Sequence, residues 1–326
     1  MKRLPIIGLF TGLLLLLVLL SWQGLQPVFA RLLDGGWSLL WLSVVWLPGL
    51  LINGIGWWYV FPSDARPAWG PIMMATWLGH AVNNLLPVAS VGGEIARARL
   101  LQLWRYDGIE ATASVIVDKT TQAVALMFWG LIGVGLLTLL AIDNELATVA
   151  LAGFLILAAG ILTFILVQHA GMLGRLTQLA EKLFEHESIG KMKLHAEQVD
   201  LAIRAAYRRR QQLALAIIWH TVALILQSAE IWLGCYLLGQ PISLIEALLV
   251  KSLTSTISDI AFIIPNGYGI QEGAFMMIGA LIGLSPTFSL ALALAIRMRD
   301  ITIDLPGLVY WQTIEGRQLL ARRARR

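Results

Sequence analysis

Long apolar runs, cut by proline, glycine and charged residues at a few places, set the pattern of this chain. Their lengths suit a bilayer, because a helix needs about 20 apolar residues to cross the hydrocarbon core. Full crossings are expected at Ile6–Leu20, about Trp37–Phe61, about Ala111–Ile142, Leu146–Gln168, about Leu213–Leu238 and about Pro286–Gln312. Lys2 and Arg3 ahead of the first run, and Val28-Phe29-Ala30 after it, resemble a signal peptide and its cleavage site. Further spans follow at once, so the first run is read as an uncleaved crossing. Pro62, Pro67 and Pro71 then break the chain.

Two stretches fit neither a crossing nor a loop. Asn83-Asn84-Leu85-Leu86-Pro87, followed by Val91-Gly92-Gly93-Glu94, interrupts an otherwise apolar region, and Pro265-Asn266-Gly267-Tyr268-Gly269-Ile270-Gln271-Glu272 does the same later. Unpaired backbone in hydrocarbon costs several kcal/mol per group, so such breaks survive only where protein or a wet cavity surrounds them. In both, proline precedes glutamate by seven positions, and a cation lies 25 positions past the glutamate, Lys119 in one and Arg297 in the other. Three residues further on come Gln122 and Asp300. The apolar arms on either side are short, so each break is read as the tip of a re-entrant hairpin, at 71–103 and 243–284.

The fold class expected is therefore an all-α integral membrane protein, with about six full transmembrane helices plus two re-entrant helical hairpins in an inverted repeat. Repeat one covers about 71–142 and repeat two about 243–312, with a cytoplasmic amphipathic loop at 169–212 and a basic tail at 313–326. Three crossings separate the hairpins, an odd number, so they enter from opposite sides. Inverted repeats of this kind place their site near the bilayer midplane, where broken helices meet. With both termini inside, 19 of the 24 lysines and arginines are cytoplasmic, Arg31 is external, and Lys119, Lys251, Arg297 and Arg299 lie within apolar segments. That asymmetry is the positive-inside pattern.

Composition excludes several classes. Apolar residues make up 58% of the chain, charged residues 13%, and the mean hydropathy is +0.74, values no soluble domain of this length reaches. The single cysteine, Cys235, rules out an internal disulfide. The histidine spacings suit no structural zinc, and no nucleophilic triad or phosphate-binding glycine loop is visible. No cofactor, metal, catalytic residue or nucleic acid is expected.

An ionised side chain at the bilayer centre costs about 3 kcal/mol or more, and such residues usually face a partner or a wet cavity. Lys119 and Arg297 are candidates for gripping an anionic head group, together with Gln122 and Asp300. They are equally candidates for structural ion pairs with Glu94 and Glu272. Arg97 and Arg99 suit a phosphate at the cytoplasmic mouth or plain positive-inside anchors. Asn83 and Asn84 either contact ligand or cap broken backbone, and Gln271 is a further candidate for contact with the substrate. His220, Gln227 and Glu230 share a helix face and offer a proton relay, or they simply bond neighbouring helices. Lys251 and Asp259 have the same two readings. Asp300 and Asp304, one turn apart, suggest a magnesium-diphosphate pair, against which Arg297 and Arg299 supply counter-charge.

The stretches Val82–Pro87 with Gly92-Gly93-Glu94, Ile264–Gly273, and Arg299-Asp300 with Leu305-Pro306-Gly307 resemble the lysylphosphatidylglycerol synthase transmembrane-domain family, most closely its hopanoid-biosynthesis-associated branch. The resemblance implies a flippase-like protein of the bacterial cytoplasmic (inner) membrane, homologous to the domain that moves aminoacylated phosphatidylglycerol. Lysine transfer by this chain alone is not expected, since bifunctional members add a soluble transferase domain. The function expected is translocation of a polar or anionic lipid, a phospholipid or hopanoid-related lipid. The rivals are a secondary transporter of a small anion and a lipid-modifying membrane enzyme or its non-catalytic membrane partner. Expected partners are membrane lipids, lipid-biosynthetic enzymes or a second copy in a homodimer.

Overall fold

Each long apolar run forms a helix in the computed structural model, the arrangement that satisfies its own N–H and C=O groups without water. The structure describes residues 3–88, 91–140, 144–172, 188–260 and 264–323, and every regular element among them is helical. In order these are α1 (Arg3–Gln23), α2 (Leu25–Gly35), a 3-10 turn at Gly36–Leu40, α3 (Trp41–Val60), α4 (Trp69–Leu85), α5 (Gly92–Leu103) and α6 (Gly108–Leu139). Then come α7 (Asn144–His169), α8 (Ser188–Arg208), α9 (Arg210–Gln227), α10 (Ala229–Leu237), α11 (Leu244–Ile260), a 3-10 turn at Pro265–Gly267, α12 (Ile270–Leu281) and α13 (Pro286–Arg323).

Four stretches, Ile6–Gln23, Leu25–Val60, Gly108–Leu139 and Arg210–Leu237, are long and apolar enough to cross a membrane. The expected crossing at 146–168 falls within α7, and the one at 286–312 within α13, where Arg297, Arg299, Asp300 and Asp304 make the helix too polar for the same description. Apolar side chains such as Leu17, Phe128, Leu166 and Val309 stand exposed on the outside, as a lipid-facing surface requires.

Several boundaries differ from expectation. Helix α2 is an unforeseen element before the second crossing. Pro71 does not break the chain but sits in the first turn of α4, where a missing N–H costs nothing. The run 213–238 is interrupted at Ser228, whose hydroxyl and N–H both go to the Ile225 carbonyl, at 2.6 and 3.1 Å. The basic tail is not a separate segment as far as Arg323, because α13 continues through it. Of the expected cytoplasmic loop, 173–187 lies outside the described residues, as do Asp143 and 324–326; α8 follows, burying Val199, Ile203 and Ala206 in the same core as Val117 of α6.

The two breaks sit in matching frames. Helices α5 and α12 start 178 positions apart, at Gly92 and Ile270, and so do α6 and α13, at Gly108 and Pro286. The arms α4 and α11 are both 17 residues long, α5 and α12 both 12. Packing is reciprocal, with α4 lying on α13 and α11 on α6. Trp77 donates to the Ile303 carbonyl at 2.9 Å with Gly307 beside its ring, and Trp129 donates to Ser255 Oγ at 3.1 Å. Trp77 with Gly307 and Ser255 with Trp129 are one pair of positions under the same shift.

Candidate functional site

At the first break α4 ends at Leu85 and the chain turns through Pro87 into α5. Asn83 bridges the gap, its Oδ1 accepting from Gly93 N at 2.7 Å and its Nδ2 donating to Glu94 Oε2 at 3.0 Å. The close approach requires glycine, since a Cβ on Gly93 would lie 2.1 Å from the Gly79 carbonyl oxygen. Glu94 Oε1 meets Lys119 Nζ at 3.1 Å, and the Lys119 side chain remains 47% exposed. Asn84 instead reaches across to α13, donating to Asp304 Oδ2 at 2.8 Å.

The second break turns its glutamate inward. Glu272 Oε2 accepts from Gly269 N at 2.7 Å, capping α12, while Oε1 accepts from Arg297 Nε at 2.7 Å. Glu272 is fully buried and the Arg297 side chain is 8% exposed, its guanidinium over the Tyr268 ring. Next to this pair, Arg299 joins Asp300 at 2.8 Å and Glu230 at 3.0 Å, and Glu230 also holds Lys251 at 2.6 Å. Break and charge belong together here: Glu230 stands just past the Ser228 interruption.

A third network centres on Asp118. Its carboxylate accepts from Arg97 at 2.6 Å, Gln122 at 2.8 Å and His220 Nε2 at 2.9 Å, while His220 Nδ1 meets the Asn53 amide. Arg97 also stacks on Trp57, 3.9 Å from the ring centroid. Gly56 leaves room for the His220 ring, which a Cβ there would meet at 2.5 Å.

These networks border one cavity of about 530 Å³. Of the residues singled out by sequence, Asn83, Asn84, Glu94, Arg97, Lys119, Gln122, His220, Gln271 and Asp300 line it, as do Lys251, Asp259 and Arg299. Glu272, Arg297 and Glu230 stand behind that wall, and Arg99 pairs with Glu315 at 2.6 Å elsewhere. His220 and Glu230 belong to separate networks, one on Asp118 and the other on Lys251 and Arg299. A second, apolar cavity of about 180 Å³ lies between Leu9 and Leu13 of α1 and the first tip at Leu85–Pro87, with Tyr268 beside it, and it shares Asn84 with the first.

Of the lining residues that sequence reasoning missed, two take part in the buried polar networks. His80 pairs with the fully buried Asp304 at 2.9 Å and lies against Trp46. His80, Asn83 and Asn84 fall at i, i+3 and i+4, one polar face on α4, which is the signal that identifies it. Asn53 is the other, an amide inside the apolar run of α3.

Each cation on the wall carries a carboxylate partner, so the cavity presents dipoles and paired charges in place of bulk water. A family model described as the lysylphosphatidylglycerol synthase TM region matches residues 6–305. No curated protein and no solved structure matches the chain.

Proposed function

The chain belongs to the lysylphosphatidylglycerol synthase TM-region family, and on that premise we propose that it translocates a polar or anionic lipid across the bacterial cytoplasmic membrane. It is a multi-pass membrane protein of a lipid-related family. The observation that carries the proposal is the charged cavity walled by residues of both breaks, with an apolar cavity adjoining it at Asn84. A head group in the polar cavity exchanges water for Lys119, Arg299 and their neighbours, and its tail stays in the apolar one or in lipid. Carrying the same charge through bare hydrocarbon costs many kcal/mol.

The matching frames and reciprocal packing of the two breaks support an inverted repeat with six crossings, two re-entrant hairpins and both termini inside. In such a repeat, rocking of one half against the other opens the cavity to alternate sides. The chain acts as a transporter, not an enzyme. The test is flip of fluorescent phospholipids and hopanoid-related lipids in proteoliposomes. Acceleration over protein-free vesicles is the expected result; none for any lipid tried sinks the proposal. Uptake of a small soluble anion without lipid flip would favour a solute carrier.

A further inference from the structure

Among the described residues, every carboxylate at or just behind the cavity wall has a basic side chain as partner except one. Glu94 has Lys119, Asp118 has Arg97, Glu230 has Lys251 and Arg299, Glu272 has Arg297, Asp300 has Arg299 and Asp304 has His80. Asp259, on the last turn of α11 before the second break, lines the cavity with no ion-pair partner among them. The charges that act on it are Lys119 from α6 and Lys251 from its own helix. Both are already held, by Glu94 at 3.1 Å and by Glu230 at 2.6 Å. Ser255 and Ser258 of α11, Asn266 and Gln271 line the same space and offer only neutral dipoles. The Asp259 side chain is exposed to the cavity, so a proton can reach it, and an anionic group bound beside it would meet no cation that is not already paired. No group of three or more histidine, cysteine or acidic side chains stands ready for a metal ion among the described residues.

We propose that Asp259 is an exchangeable proton site and that lipid movement through the cavity is coupled to it. The coupling rests on the translocation reading; the proton site does not. An anionic head group at Lys119 adds negative charge beside Asp259 and favours its proton, so head group and proton bind together. The proton enters with the lipid from the side to which the cavity is open and leaves with it on the other. One proton per singly charged head group makes the cycle electroneutral, and at steady state one pH unit sustains about a tenfold asymmetry of lipid between leaflets.

The test pairs two measurements on wild type and Asp259→Asn, a near-isosteric change whose folding is checked by its unfolding temperature. Infrared difference spectra of the purified protein between acid and alkaline buffer report the carbonyl stretch of protonated carboxyls. Proteoliposomes with a fluorescent anionic phospholipid and an imposed pH gradient report coupling. Expected is a wild-type band that titrates and is missing in Asp259→Asn, with net flux from the acidic side that the variant loses. A band unchanged by the substitution overturns the site, whatever the flip assay reads. Flip that ignores the gradient overturns the coupling. If Asp259 stays ionised and only amine-bearing lipids depend on it, it is a cation-docking group and the proton assignment falls. A titrating Asp259 without flip of any lipid leaves the site standing and refutes translocation instead.

Discussion

At Val91 and Gly269 the chain enters its two short helices in different backbone conformations, and that difference decides what each glutamate does. Val91 has φ −117° and its N–H is satisfied by the Val88 carbonyl at 3.1 Å, so Glu94 is released from capping and turns to Asn83 and Lys119. Gly269 has φ +77°, a conformation that favours glycine, and its N–H goes to Glu272. Glu272 therefore caps its helix and clamps Arg297 in a sealed pair. One sequence motif has become a cavity wall in one half and an anchor in the other. Equal spacing along the chain does not imply equal exposure.

The largest way to test this contrast is Glu272→Ala, which leaves Arg297 buried and removes the cap of α12. Breaking a buried pair by deleting one partner costs about 3–5 kcal/mol, so folded yield and unfolding temperature in detergent should fall sharply. Wild-type stability would mean that Asp300 alone suffices for Arg297. Next comes Gly269→Ala, expected to cost about 1–3 kcal/mol for a side chain in the left-handed region, and its Cβ would also lie 2.7 Å from the Gly12 carbonyl oxygen of α1. Val91→Gly, at the equivalent place, should cost under about 1 kcal/mol.

Glu94→Gln and Lys119→Gln sharpen the other side of the comparison. With Lys119 half exposed to the cavity, stability should change by less than about 1 kcal/mol, while lipid flip falls about tenfold, or 1.4 kcal/mol in the barrier. Equal losses of stability in the Glu94 and Glu272 variants would erase the distinction between the two breaks. The smallest effect is expected for Arg99→Ala, whose partially exposed pair with Glu315 contributes about 0–1 kcal/mol and lies away from the cavity; flip at the wild-type rate is the outcome to check.

Much of this molecule is legible in its residues taken in order. Hydrophobic run length determines helices of membrane-spanning length, and Pro87, Gly92-Gly93 and Glu94 against Pro265, Gly269 and Glu272 mark both breaks, because helix propensity and the cost of unpaired backbone act over a few neighbouring residues. The interruption at Ser228 and helix α2 were not foreseen: α2 is an amphipathic stretch with Arg31 and Asp34 between two apolar runs, and the polar residues Gln227, Ser228 and Glu230 do not by themselves say where a helix breaks. The repeat spacing already offered Lys119 with Glu94 and Arg297 with Glu272, and both pairs form; which of the other charges meet was decided only by the tertiary structure. The cost of burying an ion demands a partner but does not name it, and helix packing brought His80 to Asp304 across 224 positions and Arg99 to Glu315 across 216. Packing likewise set Lys119 in the cavity, hid Arg297 behind its wall and left Asp259 without a counter-ion among the described residues, because exposure depends on what neighbouring helices cover.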